Sequence, residues 1–376
     1  MDAIIGGGLA AFVIYAAAKW DKSDKEKIKH TFRNLNYKVQ DKEPRLFKTH
    51  KTDQYTLHTY HVPYGLIDDD KLQVLEKVLN KPVEVIFNNQ KLHIKVYKNK
   101  LPTDKKYDWN ATEGWAVPIG YNQSEMVLHD FDKIPHMTIA GMTRQGKTVL
   151  LKLVFAHLIH SNPNDVEFNI IDLKGGLEFN RYRNYSQMKS ISSNVSEAKK
   201  ALSGVLKDIK TDMSHFKKNG YTNVLDTNIN KRKFIIVDEG AELVPPSYLS
   251  REEKREYQFC QHALSEIARV AGALGYRLIF ATQYPTADTL PRQIKQNADA
   301  KISFRLPTEV ASRVAIDEQG AEKISNVGRA IYRTADKHLI QVPYVADNDI
   351  KERLDKYACT AIEETTEGRT DIVEFG

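Results

Sequence analysis

The sequence predicts an α/β fold on a mainly parallel sheet, preceded by a small α+β domain and an apolar N-terminal helix. Three observations predict it. Residues 137–140 form a short apolar run that enters a complete G-x-x-x-x-G-K-[ST] loop, with Gly141, Gly146, Lys147 and Thr148 in its fixed positions. Helical spacing follows at once: Val149, Leu150, Leu153, Val154 and Leu158 mark an amphipathic helix over 148–160. Four more β-rich runs, at 166–172, 234–238, 278–282 and 300–304, are separated by helical patterns, which is the rhythm of βαβ units in a parallel sheet covered on both faces.

Taken in order, the chain of 376 residues is long enough for two domains. Residues 3–18 are uncharged and end at Lys19 and Trp20, with Lys22, Lys25, Lys27 and Lys29 beyond. A bilayer core takes about 20 apolar residues and at least about 17, so the stretch is marginal by length. The one-sided lysines and the interfacial tryptophan predict a single transmembrane anchor over residues 1–20, with the bulk of the chain in the cytoplasm. A docked or interfacial helix, with the chain cytoplasmic, is the alternative. No Lys or Arg precedes the segment, which argues against a cleaved signal peptide. Residues 21–44 read as a polar linker or short helix. From 45 to 114 the texture is that of a small α+β domain, with strands at 55–62 and 92–97. Between them, residues 68–79 carry Leu72, Leu75, Val78 and Leu79 behind an acidic start, the pattern of a capped amphipathic helix. The larger domain is expected over 115–347. One of its helix faces carries Ala198, Leu202, Val205, Ile209 and Met213, and another Phe259, Ala263, Leu264, Ile267 and Val270. Residues 348–376 form a tail.

An apolar content of 41% fits a globular protein. Cys260 and Cys359 lie far apart, without the neighbours a zinc site needs, so neither a disulfide framework nor a metal cluster is indicated. The net charge of +6 is concentrated at the front, where residues 19–110 hold 20 Lys and Arg against 13 Asp and Glu. Such a surface favours phospholipid or nucleic acid, or is simply well solvated.

The loop at 141–148 turns its backbone N–H groups toward one point at a helix N-terminus, which is how proteins cradle polyphosphate. Gly141, Met142, Thr143, Arg144, Gln145, Gly146, Lys147, Thr148 and Val149 are therefore the expected ATP-binding residues. Lys147 reaches the β- and γ-phosphates and the Thr148 hydroxyl holds Mg²⁺. Hydrolysis needs a second set of groups. The apolar strand at 234–238 ends in Asp238, placed to position the Mg²⁺ shell, and Glu239, placed to deprotonate the attacking water. The strand at 278–282 runs into Gln283, an amide suited to a γ-phosphate or the lytic water.

Five segments then match in order: Ile-Ala-Gly-Met-Thr-Arg-Gln-Gly-Lys-Thr at 139–148, Ile-Asp-Leu-Lys-Gly-Gly-Leu-Glu-Phe at 171–179, Ile-Val-Asp-Glu-Gly-Ala-Glu-Leu at 236–243, Phe-Ala-Thr-Gln-Tyr-Pro at 280–285 and Gly-Ala-Glu-Lys at 320–323. Together they resemble the motor domain of the FtsK/SpoIIIE family of DNA translocases over about residues 134–345. The order of anchor, α+β domain and motor looks most like the FtsK-type coupling proteins of Gram-positive conjugative elements. The resemblance implies a RecA-like P-loop ATPase that forms a hexameric ring and draws DNA through its channel, with a relaxase and conjugation-channel proteins as partners.

Two departures qualify it. Many relatives carry an arginine eleven residues before the sensor glutamine that reaches the neighbouring subunit's nucleotide, and here Gly272 stands in that place. Arg269, Arg277, Arg305 and Arg313 are the candidate substitutes, with Arg269 and Arg313 favoured. The residues after Val345 are also too few for the winged-helix domain of chromosomal translocases, so direction on DNA is expected to come from a partner or from loading. Two other readings stay open: an ATP-dependent adaptor that docks a relaxase or other cargo without translocating DNA, and a soluble phage or plasmid segregation ATPase.

Overall fold

The computed structural model describes residues 22–66, 70–103 and 105–358. The expected anchor at 1–20 lies outside the described residues, among which no helix is long and apolar enough to cross a membrane. The chain divides into two compact units, Met1–Pro102 and Thr103–Gly376.

The first unit opens with helix α1 (Asp24–Asn34), started by a reciprocal capping box between Ser23 and Glu26. Strands β1 (Arg45–Lys51) and β2 (Tyr55–His61), helix α2 (Val74–Leu79), and strands β3 (Val83–Asn88) and β4 (Lys91–Tyr97) follow. The strands form an antiparallel sheet in the order β1-β2-β4-β3. Its core joins Ile28 and Phe32 of α1 to Leu75, Leu79, Tyr60, Leu92 and Ile94. Of the helix expected over 68–79, residues 68 and 69 lie outside the described residues; in the rest a 3₁₀ turn, Asp70–Gln73, precedes α2, and Val78 turns to solvent. His58 and His93 hydrogen-bond to Thr49 and Thr59 on neighbouring strands.

The second unit takes in the segment before residue 115 that the sequence grouped with the small domain. Tyr107, Trp109 and Trp115 pack on its main core, and the Tyr107 hydroxyl lies 2.6 Å from His157 Nδ1. Its elements are β5 (Ala116–Tyr121), β6 (Met126–Asp130), β7 (Met137–Ala140), α3 (Lys147–Ser161), β8 (Val166–Ile171), β9 (Met188–Ser192), α4 (Val195–Asn219), β10 (Arg232–Val237), α5 (Arg251–Val270), β11 (Tyr276–Thr282), α6 (Arg292–Asn297), β12 (Ala300–Ser303), α7 (Glu309–Ile316), β13 (Arg329–Arg333), β14 (Lys337–Gln341) and α8 (Asp347–Leu354). Ten strands form one sheet in the order β6-β5-β14-β13-β12-β7-β11-β10-β8-β9.

That sheet is mixed, which corrects the expectation of a mainly parallel one. The ladders from β12 through β7, β11, β10 and β8 to β9 are parallel, whereas β13, β14, β5 and β6 extend it in antiparallel fashion. The physical reason is the connections. The segments β5–β6 and β13–β14 are joined by short turns, and a short turn reverses the chain, whereas a parallel partner needs a long crossover.

Within the parallel half, residues alternate between two cores. Phe234 and Ile236 of β10 join Phe155 and Phe168 on the α3 side, while Ile235 and Val237 join Leu202 and Leu264 beneath α4 and α5. Helix α3 also departs from expectation. It is buried on every side from Leu150 to Ile159, because α8 packs on what a purely amphipathic helix would leave to water.

Candidate nucleotide site at the strand ends

Strand β7 delivers the chain into the glycine loop, whose shape is forced from below by Phe304. A Cβ at Gly141 would sit 2.6 Å from Phe304 Cβ, and one at Gly146, where φ is +116°, would sit 2.9 Å from Phe304 Cε1. Three backbone bonds pin the loop: Gly141 N–H to Thr282 O (3.2 Å), Met142 N–H to Arg305 O (3.1 Å) and Gly328 N–H to Gln145 O (2.9 Å). Beyond them, the N–H groups at the start of α3 have no intrahelical acceptor and carry the positive end of the helix dipole. Thr148 and Val149 are half-buried there, while Met142, Thr143 and Arg144 are exposed.

Lys147 is buried and folds back onto the end of β10. Its ammonium donates to the Asp238 carbonyl and to Asp238 Oδ1 (3.3 Å), and lies 3.5 Å from Glu239 Oε2. Because β10 and β11 are parallel neighbours, Glu239 meets the end of β11 side by side. Glu239 Oε1 accepts from the Thr282 hydroxyl and the Gln283 N–H, both at 2.9 Å, and Oε2 accepts from Lys174 Nζ at 3.1 Å. Burial pushes the Glu239 carboxyl up, but Lys147, the Gln283 amide and Lys174 outweigh it and hold the group below the usual carboxylate range. It is therefore an ionised carboxylate in a buried site. Gln283 Oε1 accepts from the Thr143 hydroxyl at 3.1 Å, which ties the amide to the loop.

The structure thus brings the loop, Lys147, Asp238, Glu239 and Gln283 together. It also adds two residues that spacing did not single out. Asp172, at the end of β8, is fully buried; Oδ2 accepts from Glu178 N–H at 3.2 Å, and Oδ1 has no partner. Burial, with Asp238 nearby, pushes its carboxyl up. Lys174 reaches Glu239 from the same segment. The only sequence signal for either was the Asp-Leu-Lys-Gly-Gly run after a strand, which did not reveal where the lysine points.

Of the candidate arginines, Arg305 is exposed and adjoins the loop through its backbone, its carbonyl accepting from Met142 N–H; the other three stand apart. Arg269 and Arg313 are exposed on their own helices, paired with Glu266 and Glu309, and make no bond to the loop, Asp238, Glu239 or Gln283. Arg277 is buried and locked to Asp132 and the Gly272 carbonyl, at 2.8 and 2.7 Å, so it cannot reach another subunit. Gly272 itself is packed close: a Cβ there would lie 3.0 Å from Pro135 Cγ and 3.2 Å from His136 Nε2.

Comparison with known proteins follows the same outline. The sequence model of the FtsK/SpoIIIE family matches residues 103–339. The DNA translocase FtsK of Streptococcus pneumoniae is 27% identical over 242 residues, which are 59% of this chain and 30% of that protein. The DNA translocase FtsK of Lactiplantibacillus plantarum is 28% identical over 264 residues, 65% of this chain and 32% of that protein. The chain spans less than a third of the length of these curated relatives. Among solved structures, the pCW3 conjugation coupling protein TcpA, in its monomer form with ATPγS, matches with a TM-score of 0.65 at 21% identity, covering 89% of this chain and 99% of that one. The cytoplasmic domain of the type VII secretion ATPase EccC of Thermomonospora curvata matches with a TM-score of 0.56 at 18% identity, covering 67% and 33%. At these identities the likeness is one of fold.

Proposed function

This chain belongs to the FtsK/SpoIIIE family, and on that premise we propose that it is an ATPase that moves DNA through a homo-oligomeric, hexameric ring during transfer of a conjugative or other mobile element. One observation carries the reading: Lys147, Asp238, Glu239 and Gln283 converge on adjacent strand ends beside a phosphate-cradling loop. In this reading residues 1–20 anchor the chain in the membrane, and a relaxase and channel proteins are its partners.

The residues fit Mg²⁺-ATP. Carboxylates neutralise the Lys147 ammonium where phosphate oxygens would, and the buried Asp172 Oδ1 still lacks a donor. Bound ATP with Mg²⁺ supplies the phosphoanhydride that is cleaved and the positive charge that offsets its oxygens. With nucleotide bound, Lys147 would turn from Asp238 and Glu239 to phosphate, and Asp238 and Thr148 would then be the residues that hold Mg²⁺. Glu239, already ionised, takes a proton from water at its carboxylate. Gln283, through Thr143, links that event to the loop. Arg269 or Arg313 of a neighbouring subunit completes the site.

The test is ATPase activity of the full chain in detergent, with and without DNA, together with triplex displacement. DNA-stimulated hydrolysis that weakens steeply with salt, and ATP-dependent stripping of the third strand, are the expected results. A rate indifferent to DNA sinks the proposal. The close packing at Gly272 favours one second reading, an adaptor that docks cargo; it predicts hydrolysis without displacement.

A further inference from the structure

The first unit carries a cavity unrelated to the nucleotide site. Its volume is about 380 Å³, and α1 and the entry to β1 line it. Lys25, Lys29 and Arg33 recur every four residues along α1, the spacing of one helix face, and Lys42 and Arg45 join them at the same cavity. Asp41 and Glu43 are the acids in its lining, and both are engaged: Asp41 by Lys38 at 3.5 Å and Glu43 by Arg33 at 3.4 Å. Lys25, Lys29, Lys42 and Arg45 are exposed and form no ion pair among the described residues. Five cations against two acids leave the lining with an excess of positive charge, and an anion in the cavity relieves the repulsion among them.

Tyr60 also lines the cavity. It is only 2% exposed, its ring is held edge-on by Phe32, and its hydroxyl has no hydrogen-bond partner. A buried hydroxyl without a partner is an uncompensated loss of hydration. An oxygen-rich anion would supply the missing acceptor and the missing charge together.

We propose that this cavity binds the phosphate of an anionic phospholipid headgroup. A single concave site with no row of exposed aromatic rings suits one headgroup better than a polynucleotide, which needs a continuous track with stacking platforms. The place in the chain points the same way. Lys25 follows the apolar stretch 3–18 by seven residues, a tether of at most about 25 Å, and basic clusters just inside an apolar anchor are drawn to the anionic leaflet. The choice of lipid as the phosphate's source rests on the anchor reading above; the anion site itself does not.

The experiment uses the full chain in neutral detergent, titrated with a fluorescent short-chain phosphatidylglycerol and followed by anisotropy. Glycerol 3-phosphate and duplex DNA serve as competitors. The double variant Lys29→Glu, Arg45→Glu is expected to weaken binding at least tenfold. Tyr60→Phe, which removes no protein hydrogen bond, is expected to weaken it at least threefold with an unchanged unfolding midpoint. Binding within twofold of the parent in either variant overturns the site. Displacement by glycerol 3-phosphate at the same concentration as intact lipid overturns the lipid assignment in favour of free phosphate. Preferential displacement by DNA overturns it in favour of nucleic acid. The lipid is supplied in solution, so residues 1–20 are not needed for this result; the anchor reading fails separately if alkaline extraction releases the chain from membranes.

Discussion

The two halves of the ten-stranded sheet are built from similar residues yet do different things. In the parallel half, β7, β8, β10 and β11 all finish at one edge, so Gly141, Asp172, Asp238 and Gln283 become neighbours although far apart in sequence. In the antiparallel half, successive strands finish at opposite edges, and Ile119, Ala330 and Ile340 serve the core. Direction of the strands, more than composition, decides which half can assemble chemistry. The antiparallel half contributes as a buttress: Gly328, just before β13, holds the Gln145 carbonyl at 2.9 Å.

The sharpest way to break this contrast is Glu239→Gln. Removing the base should cut hydrolysis by about 10²–10⁴ with nucleotide affinity retained; turnover within tenfold of the parent would place the base elsewhere. Lys147→Ala should both weaken nucleotide binding and cost stability, since it takes from the buried Asp238 its cation and leaves Glu239 with Lys174 alone. The loss should be about 3–5 kcal/mol in denaturant unfolding, and an unchanged midpoint would mean the buried pairs are not formed. Ile340→Ala tests the other half. A cavity at this fully buried position should cost about 2–5 kcal/mol, while nucleotide affinity measured well below the melting temperature stays the same; a large loss of affinity would erase the distinction.

Lys174→Ala gives the smallest effect, and pH reveals it. Glu239 must be ionised to accept a proton, and burial pulls its pKa up against Lys147, the Gln283 amide and Lys174. With Lys174 gone the balance moves upward, so the acid limb of the rate profile should shift to higher pH. A limb that stays in place would confine Lys174 to a structural role.

The site was readable in sequence wherever its chemistry is local. The glycine loop is contiguous from 141 to 148, and Asp238 and Glu239 announce themselves as acids at the end of an apolar strand. What escaped depends on distant partners. Lys174 acquires its meaning from Glu239, 65 residues on. Helix α3 is wholly buried because α8 returns to cover it from near the end of the chain. The cluster of half-buried Asp132 with the buried Arg232 and Arg277, with contacts of 2.8 Å, joins Asp132 to residues 100 or more positions away and left no local pattern. The antiparallel strands were missed because short hairpins look like loops until a sheet edge is there to receive them.

Phe304 has an evolutionary corollary. Gly141 rests on the Cβ of Phe304 and Gly146 on the edge of its ring, so the three positions form a single steric unit. Because the contact at 141 is to the Phe304 Cβ, an atom every residue but glycine carries, trimming the side chain at 304 does not make room for an alanine at 141. Gly141 should therefore persist among descendants of this chain whatever side chain stands at 304, although Phe304 takes part in no reaction.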